Sequence, residues 1–366
     1  MRSYRLPLLL LALSCLPMAG RAQGDSTRGN TGAITGTVTV TGTSIPLPNA
    51  VVEIASVSYA RLTDAQGQFV IPRIPAASYR VRVRRIGYSP REVEVVVVAG
   101  ETAMPRIALT RLAVQLEKVT VASREPCTRP GLPAAGSEEA SQSPVAAVLQ
   151  QVNQNAAQFK LVTEAYPYES LAQRTSGNLY SDSATSVTRI DTVHAASTSK
   201  WHYRPGMVVV AGAGPPGELS LIVPTFRDFA EPVFQQTHCF DYGGIEEVDG
   251  RSLARIDFRV VDTTSTPDVD GTIYLDTASF QVTRVRVDLT HPDALSRRRP
   301  KAYTAVTVMY HFAEIAPAVR VLDFMLGRNS LRAGSVRGGV VAETQEQHIV
   351  VFQFTKEAPS GAPKQP

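Results

Sequence analysis

Arg61-Leu-Thr-Asp-Ala-Gln-Gly-Gln-Phe69 is the clearest structural signal in the first part of the chain, because its pattern predicts two β-strands around a tight turn. Asp64 opens the turn and Gly67 closes it. An Asp side chain accepts hydrogen bonds from the backbone just after it, and Gly tolerates a positive φ. Further on, three apolar residues alternate with three arginines: Tyr79, Val81 and Val83 with Arg80, Arg82 and Arg84. This period of two predicts a strand with one buried and one solvent-exposed face.

The same period recurs on both sides of this stretch. Apolar residues alternate with polar ones from Ile34 to Val40, at Val52 and Ile54, from Val93 to Val97, and at Ile107 and Leu109. About seven short strands within about 80 residues predict a small antiparallel sandwich. We expect this sandwich, of the immunoglobulin or prealbumin type, to occupy residues 33–121.

Several segments of this region resemble the carboxypeptidase regulatory-like domain, a prealbumin-type sandwich. The resemblance rests on Ile34-Thr-Gly-Thr-Val, on Pro46-Leu-Pro-Asn-Ala-Val-Val-Glu-Ile54, on Leu62-Thr-Asp-Ala-Gln-Gly-Gln-Phe69 and on Tyr79-Arg-Val-Arg-Val-Arg-Arg-Ile-Gly-Tyr88. It covers roughly residues 33 to 110 and implies a fold, not a reaction. Members of the family are accessory modules, often in bacterial envelope proteins such as outer-membrane receptors.

Residues 1–22 have the pattern of a secretory signal peptide. Arg2 and Arg5 precede an apolar run from Leu6 to Leu16, and Gly20-Arg21-Ala22 supplies small residues for cleavage. No later stretch approaches the ~20 apolar residues that a membrane-spanning helix needs. We therefore expect an exported protein, in the periplasm or associated with the outer membrane, without a transmembrane helix in the mature chain.

Cys127 and Cys239 remain once the signal peptide, which contains Cys15, is removed. One pair in an exported protein favours a disulfide, with two unpaired thiols as the other interpretation. A metal site is disfavoured because neither cysteine has a partner two to four residues away.

The Pro- and Ser-rich segment 122–143 lacks a hydrophobic period and predicts a linker. Ser143-Pro144 then predicts a helix start, and Val145, Val148, Leu149 and Val152 form one apolar stripe on a helix of about residues 144–158. Long alternating segments follow, so we expect residues 144–356 to form an antiparallel curved sheet with this one helix. We expect the tail, residues 357–366, to be disordered.

This second region loosely resembles the half-barrel of outer-membrane lipoprotein carriers. The resemblance rests on the block Phe240 to Phe258, on Gly271-Thr-Ile-Tyr-Leu-Asp276 and on Val282-Thr-Arg284. It implies a concave apolar surface for a lipid-like ligand or a partner. The residues expected to face that ligand are Ile256, Phe258, Ile273 and Leu275.

Each motif that resembles a catalytic or metal site lacks an element that such a site requires. Gly212-Ala-Gly-Pro-Pro-Gly217 fits a dinucleotide fingerprint but lacks the following helix. His311-Phe-Ala-Glu314 has zinc-ligand spacing without a suitable third ligand, and the Asp-rich segment Asp268 to Asp276 lacks most ligands of a calcium loop. We predict no catalytic residue, no metal and no cofactor. The net charge of only +4 and the predicted export also argue against nucleic acid as a partner.

These observations predict a non-enzymatic, exported envelope protein of mainly β structure that binds a protein, glycan or lipid-like ligand. The alternatives are a small outer-membrane β-barrel protein or an accessory partner of an outer-membrane receptor. A third interpretation is an enzyme with an unrecognised site, for which His238, Asp241 and Asp262 are the nearest polar candidates.

Overall fold

The computed structural model describes residues 30–112, 126–128, 130–131, 144–197, 202–211, 219–262, 265–296, 303–316, 319–336 and 338–356. The predicted signal peptide, most of the linker, the loop at 212–217 and the tail lie outside these residues. Residues 30–112 form eight strands: β1 (Thr31–Val40), β2 (Val51–Ile54), β3 (Tyr59–Leu62), β4 (Gln68–Pro75), β5 (Ala77–Arg84), β6 (Arg91–Val97), β7 (Thr102–Ala103) and β8 (Arg106–Leu109).

These strands make two sheets that enclose one apolar core, which we call the N-terminal sandwich. One sheet contains β4, β1, β7 and β8, and the other has the order β3-β2-β5-β6. The core includes Ile34, Phe69, Val81 and Ile107. The predicted sandwich is confirmed. The structure adds that it has eight strands rather than about seven, and that β7 and β8 both pair with β1 in parallel.

The turn between β3 and β4 is stabilised by one carboxylate, that of Asp64. Asp64 Oδ1 accepts hydrogen bonds from the backbone N–H groups of Gln66 at 2.9 Å and Gln68 at 2.8 Å. Gly67 has a φ of +70°, and a Cβ there would lie 2.5 Å from the carbonyl oxygen of Val38. Gly is therefore required at this position both for conformation and for space.

The described residues after 143 form a second unit of mainly β structure. Its elements are α1 (Pro144–Ala165), β9 (Tyr168–Tyr180), β10 (Thr185–Ala196), β11 (Val209–Ala211), β12 (Leu219–Leu221), α2 (Phe226–Phe229), α3 (Pro232–Thr237), β13 (His238–Val248), β14 (Arg251–Val260), β15 (Val269–Asp276), β16 (Val282–Leu289), β17 (Tyr303–Ala316), β18 (Val319–Leu331) and β19 (Val340–Phe354).

Nine of these strands form one open, antiparallel, curved sheet, the main sheet. Its strand order is β10-β9-β19-β18-β17-β16-β15-β14-β13. Consecutive strands from β13 to β18 are neighbours, but β19 inserts between β18 and β9. One face of the sheet, the covered face, packs against the helices around the larger apolar core, which contains Val148, Phe229, Phe234, Ile256 and Val285.

Helix α1 begins at Pro144, the residue at which the sequence predicts it to begin, but ends at Ala165 rather than near residue 158. Val148, Leu149 and Val152 face the core as the apolar stripe predicts. The same helix also buries polar side chains: Gln151, Gln154, Asn155 and Gln158. A helix that buries both apolar and polar residues has neighbours on more than one side.

The sandwich and the second unit meet along α1. The backbone N–H of Gly87 donates to Gln151 Oε1 at 2.7 Å. Leu62 of β3 packs against a small apolar cluster that contains Val162 and Tyr168. Cys127 and Cys239 form a disulfide with a Cα–Cα distance of 5.7 Å, which ties the chain before α1 to strand β13. Among the helices that the structure describes, none is long and apolar enough to cross a membrane.

Candidate functional site

The four residues that the sequence predicts to face a ligand lie on the covered face of the main sheet. Ile256 of β14 pairs directly with Ile273 of β15. Ile256, Phe258, Ile273 and Leu275 are all 0% exposed. Two short helices that sequence analysis did not predict lie over them.

Aromatic contacts show how tightly these helices close the surface. The ring of Phe258 lies 5.6 Å from that of Phe229 and 5.4 Å from that of Phe234, between centroids. Since Phe229 belongs to α2 and Phe234 to α3, the four residues form core rather than an open concave surface. Whether they ever contact a ligand stays a prediction, and a ligand would reach them only if α2 and α3 moved away.

An open cleft of about 400 Å³ lies further along the main sheet, where strands β9, β18 and β19 meet the β11–β12 hairpin. We call it the main-sheet cleft. Its apolar wall is formed by Leu219, Leu221, Val223, Leu295, Val306 and Met325, all of which belong to the larger core or pack against it. Its polar wall is formed by Arg174, Asn178, Arg189, Asn329, Glu343 and Gln345.

Strand register explains why the polar wall is continuous. Asn329 of β18 pairs with Glu343 of β19, and Glu343 pairs with Asn178 of β9. Directly opposite residues of neighbouring strands share one face of a sheet. The three side chains therefore form a row across three strands, and Gly327, Gln345 and Ser176 form the next row.

Charges at the edge of the cleft are largely paired with one another. Asp191 accepts a hydrogen bond of 2.7 Å from Arg174 Nε and forms an ion pair of 2.7 Å with Arg189. Hydrogen bonding from Arg174, helped by the charges of both arginines, lowers the pKa of Asp191. Glu343 Oε2 accepts a hydrogen bond of 2.7 Å from the hydroxyl of Tyr303. The polar wall thus offers hydrogen-bonding groups with little net charge.

Two of the three polar residues considered as catalytic candidates, His238 and Asp241, have structural partners, whereas Asp262 shows a backbone hydrogen bond from its N–H to the carbonyl oxygen of Cys127. His238 is fully buried, and its ring nitrogens lie 2.8 Å from the carbonyl oxygen of Phe234 and 3.0 Å from that of Val269. Burial lowers its pKa. Asp241 pairs with Arg259 at 2.8 Å. Thr237 Oγ1 also lies 3.2 Å from His238 Nδ1, so both ring nitrogens of His238 are engaged in contacts that pack the core.

Asp268, considered above as part of a calcium loop, instead anchors the loop of residues 203–206 to the start of strand β15. Its carboxylate is 0% exposed and accepts hydrogen bonds from the Tyr203 hydroxyl at 2.8 and 2.9 Å and from the Gly206 N–H at 3.0 Å. Burial, and next the adjacent Asp268 carboxylate, raise the pKa of Tyr203. In the part of the chain that the structure covers, no group of three or more His, Cys, Asp or Glu could hold a metal ion.

A comparison with protein families identifies the first unit. Residues 33–110 match the model of the carboxypeptidase regulatory-like domain, so the resemblance noted from the sequence is confirmed for this segment. The segment makes up the N-terminal sandwich almost entirely. No curated protein matches the chain significantly.

Solved structures provide more distant similarities. A cohesin–X-dockerin complex from Acetivibrio cellulolyticus is 24% identical with a TM-score of 0.19, over 22% of this chain and 57% of that chain, so the match spans little more than half of that relative. A domain from Vibrio parahaemolyticus, provisionally described as an outer-membrane lipoprotein-sorting protein, is 9% identical with a TM-score of 0.31, over 58% of this chain and 95% of that chain.

A LolA superfamily protein from Nitrosomonas europaea is 10% identical with a TM-score of 0.29, over 57% of this chain and 94% of that chain. Proteins of the class named in the second resemblance are thus among the similar structures. At these identities and TM-scores, none of them assigns a function to this chain.

Proposed function

We propose that the protein is a non-enzymatic binding protein of the cell envelope and that the main-sheet cleft holds an amphiphilic, lipid-like ligand. The observation that carries the proposal is the two-sided lining of the cleft. Leu221, Val306 and Met325 continue the apolar core on one side, and a row of amide and carboxylate side chains runs along the other. Pockets that bind small molecules combine such apolar walls with a few polar groups that fix orientation.

The paired charges favour a ligand whose head group has no large net charge. Arg174 and Arg189 both pair with Asp191, and Glu343 accepts a hydrogen bond from Tyr303. A strongly anionic head group would compete with Asp191 for both arginines. A zwitterionic or polar head group instead adds hydrogen bonds to Asn178, Asn329 and Gln345 without displacing that ion pair.

Placement in the envelope is part of the proposal. It is supported by the signal-peptide pattern of residues 1–22 and by the Cys127–Cys239 disulfide, a bond that persists in oxidising compartments. The carboxypeptidase regulatory-like domain would serve as an accessory module for contact with a protein or glycan.

The test is native mass spectrometry of the exported protein, purified without detergent and incubated with a lysophosphatidylethanolamine as the probe. Two variants of strand β18 form a matched pair. Met325 lines the cleft, whereas Leu326, 38% exposed, points to the opposite face of the sheet. We expect wild type and Leu326→Lys to retain one lipid, and Met325→Lys to lose it because a charge would enter the apolar wall.

If Met325→Lys retained the lipid to the same extent as Leu326→Lys, the lipid would not bind in the main-sheet cleft. A wild-type protein that never carries the probe would reject the proposed ligand class. Circular dichroism of both variants establishes that the comparison is made between folded proteins.

A further inference from the structure

A second cavity, distinct from the main-sheet cleft, lies between the sandwich and the second unit. We call it the junction cavity. Its volume of about 540 Å³ is within the range of small-molecule sites. The sandwich contributes Arg85, Tyr88 and Arg111 to its wall, and the second unit contributes Gln158, Gln281 and Glu314.

Two guanidinium groups converge in this cavity on one aromatic ring. Arg85 Cζ lies 5.7 Å from the centroid of the Tyr88 ring, and Arg111 Cζ lies 6.0 Å from the same centroid. Arg85 Nε donates to the carbonyl oxygen of Pro48 at 2.7 Å. Stacking on Tyr88 and this one hydrogen bond orient the Arg85 fork, while its terminal NH₂ groups remain as donors.

This arginine pair places two positive charges in the wall of the cavity. Within the ranges that the structure describes, no carboxylate forms a salt bridge with Arg85 or Arg111. Burial, with a smaller contribution from the charge of Arg111, lowers the pKa of Arg85, and Glu314 opposes this shift. A guanidinium that is partly out of water beside a second positive charge, as Arg85 is, gains from an added negative charge.

Neutral hydrogen-bond donors complete the wall. Gln158 is only 8% exposed, and its side chain has no hydrogen-bond partner among the described residues. Gln281 Oε1 accepts a hydrogen bond from Arg320, which leaves the amide N–H groups of Gln281 as donors. Because Gln158 lines the cavity, its amide N–H groups are available to donate to a group bound there.

We propose that the junction cavity binds an oxyanion, the carboxylate or phosphate group of a small ligand, between Arg85 and Arg111, with Gln158 as a neutral donor. Arginine forks match the geometry of both oxyanions. Glu314, on the side of the second unit, carries a negative charge that repels the oxyanion, so the charged group of the ligand would face the arginines of the sandwich. The bound ligand would touch both units at once.

Isothermal titration calorimetry of the full-length mature protein tests the proposal with inorganic phosphate and, separately, with succinate. The two titrations distinguish phosphate from carboxylate as the natural group. The variants are Arg85→Gln and Arg111→Gln, and the control is Arg80→Gln, an exposed arginine of β5 that does not line the cavity. We expect saturable binding of one of the two probes and a loss of affinity of about 10-fold or more in either cavity variant.

The exposed position of Arg111 makes it the decisive variant, because its replacement leaves the core intact. In a thermal melt, the bound probe should raise the Tm of wild type and of Arg80→Gln but not that of Arg111→Gln. Absence of saturable binding of both probes, or equal affinity of wild type and Arg111→Gln, would overturn the proposal. Either result leaves the proposed function of the main-sheet cleft unaffected.

Discussion

Gln151 Oε1 accepts a hydrogen bond from the backbone N–H of Gly87 over 2.7 Å, and this bond joins helix α1 to the turn after strand β5. Gln151 is 0% exposed, so water does not replace this contact at the Gln151 side chain. The bond makes the packing of the sandwich on α1 specific rather than merely apolar. Its energetic weight can be measured.

Gln151→Leu should lower the free energy of unfolding by about 1 kcal/mol or more, because the Gly87 N–H loses its partner at the junction. Gln150→Leu on the same helix is the matched control, since Gln150 is only half-buried. Urea unfolding of both variants gives the comparison. If Gln151→Leu were as stable as Gln150→Leu, the bond would have no net role in docking the two units.

Gly271→Ala should destabilise the protein by about 2 kcal/mol or more, because a Cβ on strand β15 would lie 2.1 Å from the carbonyl oxygen of Arg286 and 2.5 Å from Cζ of the buried Phe258 ring. Gly327→Ala on β18 is the control. There the nearest atom is Cβ of Gln345 at 3.7 Å, so we expect a change within about 0.5 kcal/mol. If the denaturation midpoints of both variants shifted equally, the structure around Gly271 and Phe258 would be able to accommodate the added methyl group.

Loss of the disulfide should cost roughly 2–4 kcal/mol of stability, because the bond closes a loop with a sequence separation of 112 residues in the unfolded chain. The measurement is thermal unfolding of wild type with and without reductant, beside the double variant Cys127→Ser/Cys239→Ser. The oxidised wild type should also be lighter than the reduced form by two hydrogen atoms. An exported protein with two free thiols would contradict the structure at this point.

Stability should fall as the pH drops below about 6.5 in part because of His311. Burial, and next the nearby charge of Arg284, lower its pKa in the folded state from 6.5, whereas Asp323 and Asp249 oppose the shift. The unfolded chain therefore binds this proton more readily, so the stability that neutral His311 contributes is present above pH 6.5 and is lost below it.

His311→Gln should make the free energy of unfolding less dependent on pH between about 6.5 and 5 than it is in wild type, with the two curves parallel near pH 8. Chemical denaturation at each pH measures the difference in the free energy of unfolding between wild type and variant. The other histidines are the same in both proteins, so their contributions cancel in this difference. A variant that loses stability on acidification as steeply as wild type would show that His311 titrates no differently in the two states.

Local patterns predict the sandwich well because its strands have one buried and one solvent-exposed face. Tyr79, Val81 and Val83 are buried and Arg80 and Arg82 are exposed, as the alternation requires. The start of α1 at Pro144 is equally local, since it depends on a Pro that suits the first helical turn. Local rules were sufficient wherever burial alone distinguished the two faces.

The main-sheet cleft was missed for the opposite reason. Strands β9 and β10 place polar residues on both faces, because one face lines the polar wall and the other faces solvent, so they have no alternation to detect. Helices α2 and α3, of 4 and 6 residues, are too short to show a helical period. The sequence therefore does not predict that these helices pack over Phe258.

The junction cavity depends on contacts that are distant in sequence. Arg85 and Arg111 belong to the sandwich, but Gln158 and Glu314 approach them only when α1 and β17 are in place. No spacing along the chain predicts such a convergence. The site therefore follows from how the two units pack and not from a motif.

The position of β19 has a consequence for the order in which the chain can fold. This strand, the last that the structure describes, pairs with β18 on one side and with β9 on the other. Until it is synthesised, β9 and β10 have only each other, and the meander from β13 to β18 ends in an open edge. Pairing of this kind is slow, because it closes a loop that contains most of the second unit. Until β19 pairs, the edge strands β9 and β18 are unpaired and can form non-native contacts with other strands. A ribosome-bound or half-exported chain would thus hold two incomplete sheets, and one late strand would convert them into a single sheet.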